Sequence, residues 1–313
     1  MELSVVIPLF NERDNLGPLH EELKQVLATM GVSHEIVFVD DGSTDGGIDE
    51  LRRIKASDPN VRVIRLAKNT GQTAALQCGL SNSRGDIVVA LDGDGENDPA
   101  DIPRLVSKLK EGGIDLVSGW RTERWKGATL TRRLPSVVAN SLISRITGTV
   151  LHDYGCTLKA YRGDLARNLA LYGEMHRFVP AIAAERGAQI AELQVNFRPR
   201  RSGSSKYGPG RIIRTFLDLM TVKFLSSYST RPIQVFGVIG LILGMLGGLW
   251  MAILVFEKVV LGAQLADRPA LLLSVLLVVV GVQFVSLGLI GEMVARTYHE
   301  SQHKPIYLIK EEF

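Results

Sequence analysis

Two stretches near the C-terminal end leave the chain little choice of environment. Residues 233–256 carry only Gln234 as a polar side chain, and residues 270–290 only Ser274, Gln283 and Ser286. Each is long enough to cross a hydrocarbon core, which needs roughly 20 residues. A buried core helix of that length would show a polar stripe, and neither does. Both are expected to be transmembrane helices. Gly240, Gly244 and Gly248 stand four apart, a spacing that suits close helix packing and leans toward a homo-oligomer. The same spacing also arises by chance in glycine-rich spans.

Flanking cations orient the pair. Arg211, Arg214, Lys223 and Arg231 precede the first span, and Arg296, Lys304 and Lys310 follow the second. The connection holds only Lys258 and Arg268. By the positive-inside rule both termini of this multi-pass chain are expected in the cytoplasm, with a short outward loop. No charged segment followed by an apolar core opens the chain, so no secretory signal is expected. Residues 211–228 place Ile212, Phe216, Leu217 and Met220 opposite Arg211, Arg214 and Asp218, the pattern of an interfacial amphipathic helix. Residues 131–146 show a similar pattern, for which a soluble-core reading is nearly as good.

The first two hundred residues have a different character. Residues 4–9, 35–39, 61–66, 87–91 and 115–118 read as strands, and residues 15–30, 47–57, 70–81 and 99–111 as helices. This alternation predicts an α/β fold with a mostly parallel, Rossmann-like sheet and helices on both faces. Ligands on such sheets bind beyond the carboxyl ends of the strands. The polar clusters fall there: Asn11-Glu12 after the first strand, Asp40-Asp41-Gly-Ser-Thr after the second, and Asp92-Gly-Asp94-Gly-Glu96 after the fourth. If the backbone stays extended, the three acids share one face of a strand end. Oxygen ligands of this kind suit a hard cation such as Mg²⁺ or Mn²⁺. A solvated acidic turn is the plainer alternative.

Charge and cysteine content narrow the classes. A net charge of +3 is too small to indicate a nucleic-acid partner, but its distribution is uneven. Residues 90–101 hold five acids and no base, whereas residues 197–214 hold Arg198, Arg200, Arg201, Lys206, Arg211 and Arg214 and no acid. A metal-binding acidic site beside an anion-binding basic segment suits phosphate chemistry, and two unrelated solvated patches are the alternative. Cys78 and Cys156 form neither a disulfide framework nor a zinc spacing.

Val5-Val-Ile-Pro8-Leu-Phe-Asn11-Glu12, Val39-Asp40-Asp41-Gly-Ser-Thr-Asp45, Asn69-Thr-Gly71-Gln72 and Leu91-Asp92-Gly-Asp94 together resemble glycosyltransferase family 2, with its GT-A fold. Asp153-Tyr-Gly-Cys-Thr-Leu-Lys-Ala-Tyr-Arg162, the segment Arg200 to Tyr207 and the two spans resemble its polyprenyl-phosphate branch. That branch contains dolichyl-phosphate mannose synthases, undecaprenyl-phosphate glucosyltransferases and aminoarabinose transferases. The resemblance implies an inverting, membrane-bound enzyme that moves one sugar from a nucleotide sugar to a polyprenyl phosphate. It implies base and ribose contacts at Pro8, Asn11, Glu12 and Asp41, and phosphate-facing amides at Asn69 and Gly71. Asp92, Asp94 and Glu96 become the metal set, although relatives commonly carry glutamine at the last position. Asp153 matches the family's catalytic base, with positioning as an equal alternative, and Asp94 is placed beside it in the chemistry. Arg200, Arg201 and Lys206 would bind phosphate. A processive polysaccharide synthase fits less well, because Arg124-Trp125 lacks a preceding Q-x-x. A non-catalytic nucleotide-sugar-binding scaffold is the other rival. The division expected is a catalytic domain over 1–208, a juxtamembrane helix over 209–231, the hairpin over 232–292 and a tail over 293–313.

Overall fold

A computed structural model of the chain describes residues 1–122, 144, 148–171, 175–198, 233–261, 269–301 and 306–313. The expected amphipathic helices at 211–228 and, Ser144 apart, 131–146 lie outside the described residues. Two compact units emerge: Met1–Leu219 with Pro305–Phe313, and Met220–Lys304.

The first unit is built on an eight-stranded sheet. Leu3–Leu9 (β1), His34–Asp40 (β2), Val61–Leu66 (β3) and Ile87–Ala90 (β4) alternate with the helices Arg13–Met30 (α1), Gly47–Ser57 (α2) and Gln72–Asn82 (α3). Ile102–Lys110 (α4), Leu116–Trp120 (β5), Lys159–Arg162 (β6), Gly163–Asn168 (α5), Val179–Glu185 (α6) and Ile190–Gln194 (β7) follow. Ile309–Glu312 (β8) returns from the far end of the chain. The strand order is β7-β5-β6-β4-β1-β2-β3-β8, and β6 and β8 run antiparallel to their neighbours. All seven residues of β1 are buried, because helices cover both faces of the parallel centre. Hence these strands read as continuous apolar runs, and polar chemistry is confined to their ends.

β6 begins only at Lys159, after residues 153–155 turn back on the Asp153 carboxylate, which accepts the Gly155 amide at 3.1 Å. β8 was not foreseen from the sequence. Its four residues, Ile-Lys-Glu-Glu, carry little strand character. They are drawn in by the open edge of β3 and by cations waiting there: Arg62 donates to Glu312 at 2.7 Å and to the buried Glu35 at 2.8 Å. Ser4 completes this row, its hydroxyl donating to Glu35 at 2.6 Å.

In the second unit, Ile233–Leu261 (α7) and Pro269–Ser301 (α8) contain the spans Phe236–Leu261 and Pro269–Gly291, with mean hydropathies of 2.4 and 2.6. Only 17% and 11% of these spans are buried, so their apolar side chains face outward, unlike those of a soluble core helix. Glycines set the contact between the helices. A Cβ on Gly240 would meet the Gly281 carbonyl oxygen at 2.5 Å, and one on Gly247 would meet that of Ser274 at 2.8 Å. Thus Gly240 serves the contact within the chain, and the Gly244 backbone stands where a Cβ on Gly281 would fall, whereas a Cβ on Gly248 would meet open space.

The Ser4–Glu35–Arg62 row carries a stability prediction. Burial alone would raise the Glu35 carboxyl, but hydrogen bonds from Ser4, Arg62 and the Arg84 amide outweigh it and hold it below the usual carboxylate range. This stabilisation is therefore present above the unfolded-state pKa and is lost as pH falls through the folded one. Arg62→Met leaves the carboxylate buried without its cation and should cost about 3 kcal/mol at pH 7. In urea unfolding of the detergent-solubilised chain, that deficit should narrow as the pH is lowered toward 4.

Candidate active site

An open cleft of about 230 Å³ lies beyond the carboxyl ends of β1, β2 and β4, lined by Pro8, Phe10, Glu12, Asp41, Asn69, Gly71, Gln72, Asp92 and Asp94 among others. Asp41 organises one wall. Its two carboxylate oxygens accept the amides of Thr70 and Gly71, each at 2.8 Å. The Gly71 amide is therefore turned toward a side chain of the protein. Burial pushes the Asp41 carboxyl up, and the adjacent Asp40 adds to the effect. Gly42, at φ +73, presses against the Lys68–Asn69 backbone, where a Cβ would come within 2.8 Å; this is why a glycine follows the two acids.

Asn11 is not among the residues lining the cleft. It sits in the left-handed region at φ 56, a conformation asparagine tolerates better than most residues. There it ties the loop after β1 to the loop after β2, donating its amide to Ser43 at 2.9 Å and accepting the Thr44 amide at 2.8 Å. Asp45 accepts the first amides of both α1 and α2, from Arg13 and Gly47, at 2.9 Å each. Glu12 lines the cleft and accepts from Asn15 at 2.6 Å.

The acidic segment does not stay extended. β4 ends at Ala90, Gly95 takes φ 76, and the Asp94 carboxylate accepts the Glu96 amide at 3.1 Å. The chain turns through the two glycines, so strand alternation does not align the three acids. Asp92 and Asp94 line the cleft, with Asp92 accepting from Gln72 at 2.7 Å. Glu96 leans instead toward Arg121, at 3.9 Å. Among the described residues, no three Asp, Glu, His or Cys side chains gather as a metal-holding group. Of the three expected ligands, Asp92 and Asp94 share the cleft, while Glu96 lies beside Arg121. Burial first, and the Asp94 charge second, push the Asp92 carboxyl up to about 7.

Sequence reasoning passed over Arg121. Its side chain, 5% exposed, grips Asp153 with Nε at 2.7 Å and Nη2 at 3.1 Å. Burial alone would lower its pKa, but the Asp153 charge overrides this and keeps the guanidinium charged. Asp153 is held further by Glu192 on β7, which accepts the amides of His152 and Asp153 at 2.8 and 3.1 Å. His152 stacks on Trp120, with ring centroids 4.1 Å apart. Lys159 was missed too. It is buried beside Asp92 at the head of β6, donates to the Cys156 carbonyl oxygen, and is shifted down by burial. The available signal was position: each follows or opens a strand next to a named motif.

The acidic segment is fastened to the start of the basic one. Asn97 bridges to Phe197, and Arg198 donates its amide to the Glu96 carbonyl at 3.0 Å. The Arg198 guanidinium pairs with Asp98 and Glu22, each at 2.7 Å. Arg198 is therefore committed to acids of the protein, and the two charge runs meet where both are described. Arg200, Arg201 and Lys206 lie outside the described residues. His176 is buried and shares a hydrogen bond of 2.8 Å with Thr73.

A family profile described as "Glycosyl transferase family 2" matches residues 4–169. The chain is 42% identical over 316 aligned positions to a dodecaprenyl-phosphate galacturonate synthase of Rhizobium johnstonii, covering 100% of this chain and 93% of that protein. It is 37% identical to an undecaprenyl-phosphate 4-deoxy-4-formamido-L-arabinose transferase of Pseudomonas syringae pv. syringae, covering 98% and 90%. Among solved structures, a glucosyl-3-phosphoglycerate synthase of Mycobacterium tuberculosis overlays with TM-score 0.54 at 23% identity, covering 71% of this chain and 79% of that one. A second structure of that enzyme, with Mn²⁺ and UDP-glucose, overlays with TM-score 0.53 at 22% identity, covering 71% and 78%.

Asp92 yields a pH prediction. An acid whose pKa is raised by folding loses its proton near 4 when unfolded and near 7 here, so its cost to stability grows as pH rises between them. In a chelator-containing buffer at pH 8, Asp92→Asn should raise Tm by about 3 °C. The gain should vanish toward pH 4. Equal Tm values at pH 8 would show that Asp92 carries no such strain.

Proposed function

The chain belongs to glycosyl transferase family 2, and from that premise we propose that it transfers a single sugar from a nucleotide sugar to a polyprenyl phosphate. The observation that carries this reading is the end-to-end match to polyprenyl-phosphate sugar transferases, which takes in both the cleft and the apolar hairpin. It is a membrane-associated enzyme. The return of β8 into the sheet that β1 began supports a hairpin entered and left on one side of the bilayer. Together with the flanking cations, this favours a cytoplasmic catalytic unit on a bacterial inner membrane.

The reaction is a direct displacement. An oxygen of the acceptor phosphate bonds to the anomeric carbon, the bond from that carbon to the nucleoside diphosphate breaks, and its electron pair leaves with the diphosphate. A phosphate monoester has a second pKa near about 6, so the nucleophile is already anionic at neutral pH and needs no strong base. Asp153, with both oxygens on Arg121, is suited to positioning. Arg121 in turn provides a fixed cation between Asp153 and Glu96. Asp41 and the backbone it holds shape the wall for the base and ribose.

A divalent ion fits the Asp92–Asp94 pair. Two carboxylates face one cleft, and Asp92 is pushed toward protonation by burial first and by the Asp94 charge second, a cost that a cation relieves. Mn²⁺ with UDP-glucose in the mycobacterial neighbour favours the same assignment. Such an ion supplies charge neutralisation for the departing diphosphate. Glu96 is left outside the ligand set, and Arg200, Arg201 and Lys206 retain the phosphate-binding role that the resemblance implies.

Purified chain incubated with radiolabelled nucleotide sugars, undecaprenyl phosphate and Mg²⁺ or Mn²⁺ should give a lipid-linked monosaccharide, and chelation should abolish it. Polymer would mark a processive synthase, and binding without turnover a scaffold; either overturns the proposal. Asp94→Asn should lower kcat at least 100-fold with the fold intact. Arg121→Lys keeps the charge but loses the two-pronged grip on Asp153. It should lower kcat about tenfold while nucleotide affinity holds, as followed by single-turnover transfer and calorimetry.

A further inference from the structure

We propose that Arg65 is a positioning residue for the donor cleft, held in place by the C-terminal strand through Glu311. This rests on the reading of the cleft as a nucleotide-sugar site. Asp40, Arg65 and Glu311 are register partners on β2, β3 and β8, forming one lateral row across three strands. Arg65 donates from Nη1 to Glu311 at 3.1 Å and sets Nε 3.3 Å from the Asp40 carboxylate. The row crosses the sheet at the Arg65/Leu66 register irregularity, a feature that re-aims side chains at strand ends.

Asp40 is fully buried. One of its oxygens accepts the Ser43 amide at 3.0 Å, and the other has only the off-line Arg65 contact within the described residues. Its charge is thus balanced by a cation that the tail steadies. From Asp40 the contacts continue into the cleft loops. The Ser43 hydroxyl accepts the amide of Asn11, which stands in its left-handed conformation between Phe10 and Glu12 of the cleft lining. The next residue, Asp41, fixes the amides of Thr70 and Gly71.

A second row offers an internal control. Glu35, Arg62 and Glu312 anchor the same β8 strand through contacts of 2.8 and 2.7 Å. By strand alternation Arg62 and Glu312 point to the sheet face opposite Arg65 and Glu311, and this row ends at Ser4, away from the cleft loops. Loss of either row loosens β8; only loss of the first disturbs Asp40.

The test compares Glu311→Gln, Arg65→Met and Glu312→Gln in the full-length chain. Affinity for a panel of nucleoside diphosphates with Mn²⁺ is measured by calorimetry, alongside donor KM, kcat and Tm. Glu311→Gln should weaken the best-binding nucleotide about fivefold and raise donor KM with kcat held. Arg65→Met should weaken it further, and the double variant should be non-additive. Glu312→Gln should lower Tm at least as much as Glu311→Gln does, with affinity unchanged. The proposal falls if Glu311→Gln binds within twofold of wild type, or if Glu312→Gln weakens binding equally. Should the wild-type chain bind no nucleoside diphosphate, the donor-cleft reading itself fails, an outcome distinct from either. Glu311→Gln keeps the test open if Arg65→Met does not fold.

Discussion

Desolvated carboxylates at the ends of buried strands are the constraint around which the catalytic unit is arranged. The parallel centre of the sheet is covered on both faces, so polar groups have only the strand ends to occupy. A carboxylate there loses water and requires compensation. Different positions find different solutions. Asp41 takes two backbone amides, Asp153 takes a guanidinium in two-point contact, and Glu35 takes a hydroxyl, a guanidinium and an amide. Asp92 receives Gln72 but faces Asp94 across the same cleft, and its carboxyl is driven up to about 7. Under the proposed function, that residual cost is what a bound cation would relieve.

That arrangement also explains the company the acids keep. The stretch from Glu96 to Asp101 is stitched to residues 196–198 through backbone contacts and the pairing of Arg198 with Asp98. Cations are thereby brought beside acids by the chain's own ladder. The segment that continues from Arg198 starts at the rim of the acidic turn. A lipid phosphate drawn there would meet a strongly charged but internally balanced surface. The two apolar helices, for their own part, present an outward-facing hydrocarbon-compatible surface and approach each other closely at Gly240, Gly247 and Gly281.

Much of this was legible in the residues, because strong local periodicity coincides with strong tertiary demand. The first four strands and the helices between them fall within a few residues of the pattern read from apolar runs, since buried parallel strands and amphipathic helices have distinct periods. The acidic turn was legible as a location but not as a shape. Two glycines permit left-handed backbone that alternation arguments ignore, and Gly95 uses it. The loop-closing contact of the Asn11 side chain with the Thr44 amide was not legible either. Arg121 was silent because its meaning comes from Asp153, 32 positions away. β8 was silent for the same reason, since Glu311 and Glu312 gain strand identity from the distant backbone edge of β3 and from the arginines on it.

The pairing of Arg121 with Asp153 bears on how the family's chemistry can tolerate so constrained an aspartate. A general base must be free to receive a proton within hydrogen-bond reach of the nucleophile. An oxygen already accepting from a guanidinium is poorly disposed to receive one, because the cation favours the ionised carboxylate. With an alcohol acceptor that arrangement would obstruct the reaction. With a phosphate acceptor it does not, because the proton has largely left before the acceptor binds. What the site must then supply is placement of two anions, acceptor and leaving diphosphate, on either side of one carbon. Arg121 and Asp153 form a rigid cation–carboxylate pair whose backbone is held by Glu192, and under the proposed function that pair would be a fixed reference for the placement while adding almost no net charge.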